Sequence, residues 1–146
     1  MSADLDERLS RFLRALTLKE IRPMLLHSES LGPLPAPGSE LRLEWKQQFA
    51  DGDPLSPVPA ALVFRPKYEL SASFQTSPVF RQVTTFIVAF QAQDAATVQE
   101  LWADEELRKV FMEHQLQKTL WPLFRQHVHD GMSRLGMAPV SLPWLL

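Results

Sequence analysis

The chain has 146 residues, 45% of them hydrophobic and 22% charged, with a net charge of -2; this suits a single globular domain over 1–146 and offers no basic face for counterion-release binding to nucleic acid. With no cysteine, a disulfide framework, thiolate metal sites and a cysteine nucleophile are all excluded. Asp4, Asp6, Glu7 and Arg8 interrupt the start, where a secretory signal needs an apolar run, and no apolar stretch approaches the roughly 18 residues that span a bilayer, so a cytoplasmic protein without membrane insertion is expected.

In chain order, Leu5, Leu9, Phe12, Leu13 and Leu16 recur at helical spacing and predict an N-terminal helix within 1–17, with Asp4 as its N-cap and Glu7 as the partner three residues on. Arg8, Arg11 and Arg14 form a solvated face beside that stripe. After Pro23 the segment MLLHSES reads as a weak early strand, and GPLPAPG at 32–38 forbids regular structure, giving a stiff crossing loop with Leu34 at its centre. Leu41, Leu43, Trp45 and Phe49 alternate with polar residues, the period-two signature of a strand with one buried face. A second proline-rich loop, ADGDPLSPVP, precedes alternation at Tyr68, Leu70, Ala72 and Phe74; QTSP breaks it, and a further strand carries Thr84, Phe86, Val88 and Phe90 on one face. The connections are too short for crossover helices, so an antiparallel sheet is predicted over 18–93.

From Ala95 the period becomes helical through Val98, Leu101, Trp102, Leu107, Val110, Phe111, Leu116 and Leu120, predicting helices over 95–137, with Asp104, Glu105 and Glu106 opening a fresh one. Pro122 inside this pattern predicts a restart or kink at Trp121–Pro122. Gly136 follows the last stripe residue, Leu135, as a C-cap, and 138–146 continues as an extended tail. Trp144, Leu145 and Leu146 there are either buried or offered to a partner. The order of elements gives an α+β fold: a four-stranded antiparallel sheet, a long C-terminal helical segment packed on one face, and a short N-terminal helix.

Chemistry is harder to find. Neither GxGxxG nor GxxxxGK occurs, so no phosphate-cradling loop is expected. DGMSRLG resembles a nucleophile elbow, but Ser133 sits mid-helix with one residue too many before the second glycine. His127 and His129 lie two apart and point nearly opposite ways on a helix, so they cannot chelate one ion. Asp104 to Glu106 read as helix-start charges and the DGD at 51–53 as a turn. No enzyme, metal or cofactor is expected.

Leu120, Trp121 and Pro122, then Arg125, Val128, Ser133 and Arg134, then Pro139 and Leu142 resemble the helix of the SecB-type protein-export chaperones. The early strand, proline-rich crossing loop and further strands resemble that family too, over 18–143. The resemblance implies a dimer of dimers acting as an ATP-independent holdase, which keeps unfolded client proteins in apolar grooves and passes them to the translocation ATPase. Leu34, Trp121, Phe124, Met132 and Trp144 are the client-binding residues it suggests, and Glu29 matches a position that contacts the ATPase, whereas Leu25 occupies another such position. The opening helix and the long segment before Leu120 look more like divergent relatives, including those that chaperone antitoxins. An adaptor or dedicated chaperone for one partner, such as an antitoxin, is the alternative; a small-molecule carrier or enzyme ranks below both.

Overall fold

A computed structural model of the chain describes residues 3–48, 56–57, 60–140 and 142. The expected α+β architecture is present, but the sheet has six strands where four were expected. Helix α1 (Ala3–Arg14) leads into β1 (Leu16–Ser30), followed by β2 (Arg42–Gln48), β3 (Ser56–Pro57), β4 (Ala60–Phe64), β5 (Lys67–Phe74) and β6 (Ser77–Ala92). The helices α2 (Ala95–Trp102) and α3 (Glu105–Val110), a π-helical turn (Phe111–Leu116) and α4 (Gln117–Arg134) complete the order. The strands form one sheet, β2-β5-β6-β4-β3, with β1 also paired to β6. The pairs β2–β5, β3–β4, β4–β6 and β5–β6 are all antiparallel. Two compact units divide the chain. Met1–Arg22, Phe49–Arg65 and Ile87–Thr119 make one, and Pro23–Gln48, Pro66–Phe86 and Leu120–Leu146 the other.

In the first unit an aromatic cluster packs among buried aliphatic residues such as Leu9, Leu62, Val98 and Leu107. Phe12 of α1 stacks on Trp102 at 5.6 Å and meets Phe111 edge-on at 5.2 Å. Phe64 of β4 packs against Phe90, Trp102 and Phe111. Such offset and edge-on pairs add about 0.5–1.5 kcal/mol each beyond area burial. β4 escapes sequence periodicity because Ala-Ala-Leu-Val-Phe is apolar throughout; the alternation exists only in burial, with Leu62 and Phe64 in and Val63 half out. Capping follows composition. Asp94 accepts from the Thr97 backbone and hydroxyl, and these bonds hold its carboxyl below the usual range. Asp104 accepts from the N–H groups of Glu106 and Leu107, as expected for a fresh helix start, and pairs with Arg8 of α1. Asp4 lies inside the first turn of α1 and not at its cap, with its carboxylate 3.2 Å from Arg8 Nε.

The π turn explains a spacing anomaly. One buried stripe along the helical run is Leu107, Phe111, Leu116, Leu120, Phe124, Val128 and Met132, with Trp121 and Gly131 buried beside it. All steps are four except Phe111 to Leu116, which is five. A π-helix, bonded i to i+5, lets five residues make roughly the turn that four make in an α-helix, so the buried stripe stays in line. Pro122 does not restart the helix as its position suggested; α4 runs through it. Pro122 and Lys118 are both exposed, so the carbonyl that the proline cannot bond faces water. Deleting the exposed Glu113 restores the four-residue spacing and is expected to leave the fold and Tm in place. A fall of more than about ten degrees on calorimetry, several kcal/mol in a domain of this size, would show that the π turn itself is needed.

In the second unit β5 buries alternate residues, Tyr68, Leu70 and Ala72, opposite Thr84, Gln82 and Phe80 of β6. Helix α4 covers this face: Phe124 stacks on Tyr68 at 5.0 Å and Trp121 lies 6.4 Å from the same ring. Burial pushes the Tyr68 phenol far above its usual range. On the opposite face Glu69 accepts two bonds from Arg81, at 2.9 and 2.7 Å, with Lys46 3.6 Å away; the Arg81 bonds hold its carboxyl low. A bulge between Ala72 and Ser73 leaves Val79 without a cross-strand partner in β5. Its carbonyl accepts from Leu31 N at 3.0 Å, fixing where β1 gives way to the crossing loop. Ser28 of β1 donates to the buried Gln82, whose amide donates on to Thr84 Oγ1 at 3.2 Å. Gly131 of α4 sits over this pair. A Cβ there would collide with Ser28 Oγ and stand 2.6 Å from Gln82 Oε1. Gly131→Ala is therefore expected to destabilise by about 1–3 kcal/mol in urea unfolding, as overpacking does, with Ser28→Gly recovering part of the loss.

Candidate functional site

The crossing loop is built from residues that cannot join a sheet. At Ala36–Ser39 proline takes the second position and Gly38, with φ +85°, the third, the type II turn pattern. Ser39 closes it, donating its N–H and hydroxyl to the Ala36 carbonyl at 3.0 and 2.6 Å. At the other end of the unit α4 stops as Gly136 predicted. Gly136 has φ +80° and donates to Ser133 O, while Met137 N donates to Met132 O at 2.9 Å, a Schellman motif. Loop and helix exit face each other across a groove of about 390 Å³, walled by Leu34, Pro37 and Leu41 on one side and Met137, Pro139 and Val140 on the other. Among the described residues no charged side chain lines it. Its prolines supply no N–H groups, so its walls offer apolar contact and few fixed hydrogen-bond demands.

Leu41 also borders a second hollow of about 530 Å³, shared with Glu40, Arg42, Phe74 and Gln75. From there the path continues along β2, the end strand in the sheet order, whose outer edge is unpaired among the described residues. Trp45 of β2 is 41% exposed, with its ring 5.6 Å from the buried Trp121. Of the large apolar side chains left in water, Met24, Leu25, Leu26, Leu31, Leu34, Trp45 and Leu123 belong to this unit, and Leu18 to the other. Among the described residues, exposed large apolar side chains therefore belong mostly to this unit. β1 contributes three of these seven, Met24, Leu25 and Leu26, and none of its fifteen residues is buried.

The structure sorts the residues expected to bind clients. Leu34 is half exposed and lines the groove. Trp121, Phe124 and Met132 correct the expectation: they are 1%, 0% and 0% exposed and form the core between α4 and β5, because the stripe that makes a helix amphipathic is the stripe it buries. Trp144 lies outside the described residues. Glu29 is part-exposed on β1, and its carboxylate is 3.1 Å from His27 Nε2. The exposed Met24, Leu26 and Trp45 escaped the sequence reading. Trp45 alternates as a buried strand residue should, but an end strand is covered on fewer sides than its pattern implies.

No family model matches the sequence, and no curated protein does. Among solved structures, the Mycobacterium tuberculosis Rv1957 SecB-like chaperone, in complex with a ChAD peptide from the Rv1956 HigA1 antitoxin, superposes with a TM-score of 0.76. The fold is SecB-like. The match has 21% sequence identity and covers 96% of this chain and 97% of that one. A protein of unknown function from Streptococcus agalactiae is far less similar, with a TM-score of 0.35 and 11% identity over 88% of this chain and 97% of its own. Among the described residues no helix of this SecB-like chain is long and apolar enough to cross a membrane.

Core and groove are separable by stability. Trp121→Ala and Phe124→Ala are each expected to cost about 3–5 kcal/mol in urea unfolding, whereas Leu34→Ser should stay within about 0.5 kcal/mol of the parent, as surface changes do.

Proposed function

We propose that the protein is an ATP-independent holdase that keeps extended, apolar segments of unfolded client proteins in the groove between crossing loop and α4 exit. The observation that carries this reading is the groove itself: apolar, uncharged and open beside an unpaired strand edge. A surface of that kind accepts many sequences, because apolar contact is non-directional and a free edge bonds backbone, which every client has. Trp45 and Leu41, together with Leu34, are the groove-side contacts in this reading, and no catalytic step is involved. The exposed apolar strand β1, interrupted by Pro23, is a further liability for a lone protomer. Association of copies into a dimer of dimers in the cytoplasm would cover it.

A second reading has its own support. Rv1957 is seen with an antitoxin peptide, and the SecB-like fold with an N-terminal helix suits a chaperone dedicated to one such partner. Transfer of clients to a translocation ATPase through Glu29 is the weaker extension, since His27 already pairs with that carboxylate.

Aggregation of several unrelated unfolded proteins, followed by light scattering without nucleotide, tests the proposal. Suppression at near-stoichiometric ratios is expected, weakened about tenfold by Leu34→Glu, the equivalent of about 1.4 kcal/mol. Suppression restricted to one partner would favour the dedicated chaperone, and no suppression of any unrelated protein at any ratio would overturn the general holdase.

A further inference from the structure

One wall of the groove is the chain that leaves α4, so the seating of the last turns of that helix sets the shape of the groove. A titratable group lies at that seat. His127 of α4 stacks nearly parallel on Phe86 of β6, with centroids 5.5 Å apart and planes 24° from one another. The ring is half-buried, and its Nδ1 is enclosed without a hydrogen-bond partner. The charged groups that face it are Asp130 and Arg134, both on α4; β6 presents the uncharged Phe86. Asp130 is already occupied, accepting from Gln126 Nε2 at 2.8 Å and standing 3.6 Å from Nδ1 of the exposed His129.

A proton on His127 adds a donor where nothing accepts and withdraws a cation partly from water. Burial accordingly holds the imidazole below its ordinary 6.5, with Asp130 opposing the shift and Arg134 adding to it. Because the folded form takes up the proton at lower pH than the unfolded form, the seat is fully stabilised above about 6.5. That stabilisation is lost as pH falls below 6.5 through the folded value.

We propose that His127 is an acid-sensitive latch: neutral, it holds α4 on β6 and keeps the groove wall in place, and protonated, it frees the last turns of α4 and releases the bound segment. The release step rests on the reading of the groove as a client site; the latch itself does not.

Amide hydrogen exchange across α4, corrected for the intrinsic effect of pH, separates the two. It is followed between pH 7.5 and 5.0 in the parent, His127→Phe and His129→Gln, beside binding of a rhodamine-labelled uncharged nonapeptide rich in Leu and Phe. In the parent, protection at 127–134 should fall several-fold toward pH 5.0, approaching the tenfold per unit that a single proton allows, and peptide affinity should fall with it. His127→Phe should hold both constant, and His129→Gln should follow the parent. Equal loss in the parent and His127→Phe would overturn the latch, as would protection that rises with acid because the imidazolium stacks favourably on Phe86. If His127→Phe does not fold, His127→Gln takes its place under the same criteria. Acid loosening that depends on His127 without peptide binding at any pH would keep the latch and remove the groove reading.

Discussion

Phe124 stacked on Tyr68, with Trp121 beside them and Phe86 under His127, closes the face of β5 and β6 against water, and the second unit is organised around that closure. Each of these aromatic side chains carries about 150–250 Å² of surface. Their shared burial is a large favourable contribution to the folding of this unit. It also demands close approach. Gly131 lets α4 come down on Ser28 and Gln82, and the buried polar pair under it is tolerated because its amide and hydroxyl groups bond one another and Thr84.

With α4 committed to the sheet, the groove takes its form from what cannot be committed. Pro35, Pro37 and Gly38 keep the crossing loop out of any strand, and the Schellman motif at Gly136 turns the chain out of α4 just where the loop passes. An apolar surface left in water costs free energy, so its concentration in one unit, at Leu34, Trp45 and along β1, is informative: solitary exposed leucines are ordinary, contiguous ones mark a binding surface. A SecB-like fold does not by itself dictate what such a surface holds.

Much of the fold is legible in local pattern. Strict alternation at Tyr68, Leu70 and Ala72 marked β5. Asp104 marked a helix start through its short acceptor side chain, and Gly136 a helix end through the positive φ that only glycine adopts freely. Pro122 suggested a restart or a kink, and the helix does not restart there. The step of five from Phe111 to Leu116 is visible in the sequence, but it signifies a π turn only once both leucine-bearing stripes are known to be buried on one side. Of the groove-lining residues, Leu34 was legible because a leucine flanked by prolines has no regular element to pack with. Trp121 and Phe124 were not separable from core, since a hydrophobic stripe on a helix looks the same whether it meets a sheet or a client.

The sequence by itself determined the helix–strand–helix order, the antiparallel character of the sheet, the crossing loop and the caps at Asp104 and Gly136, because each depends on residues a few positions apart and on backbone preferences that hold in any context. Only the tertiary structure decided which apolar side chains face water. Exposure is a property of the neighbours that other parts of the chain bring, and Trp45 on an end strand and Trp121 under a helix carry the same side chain to opposite fates.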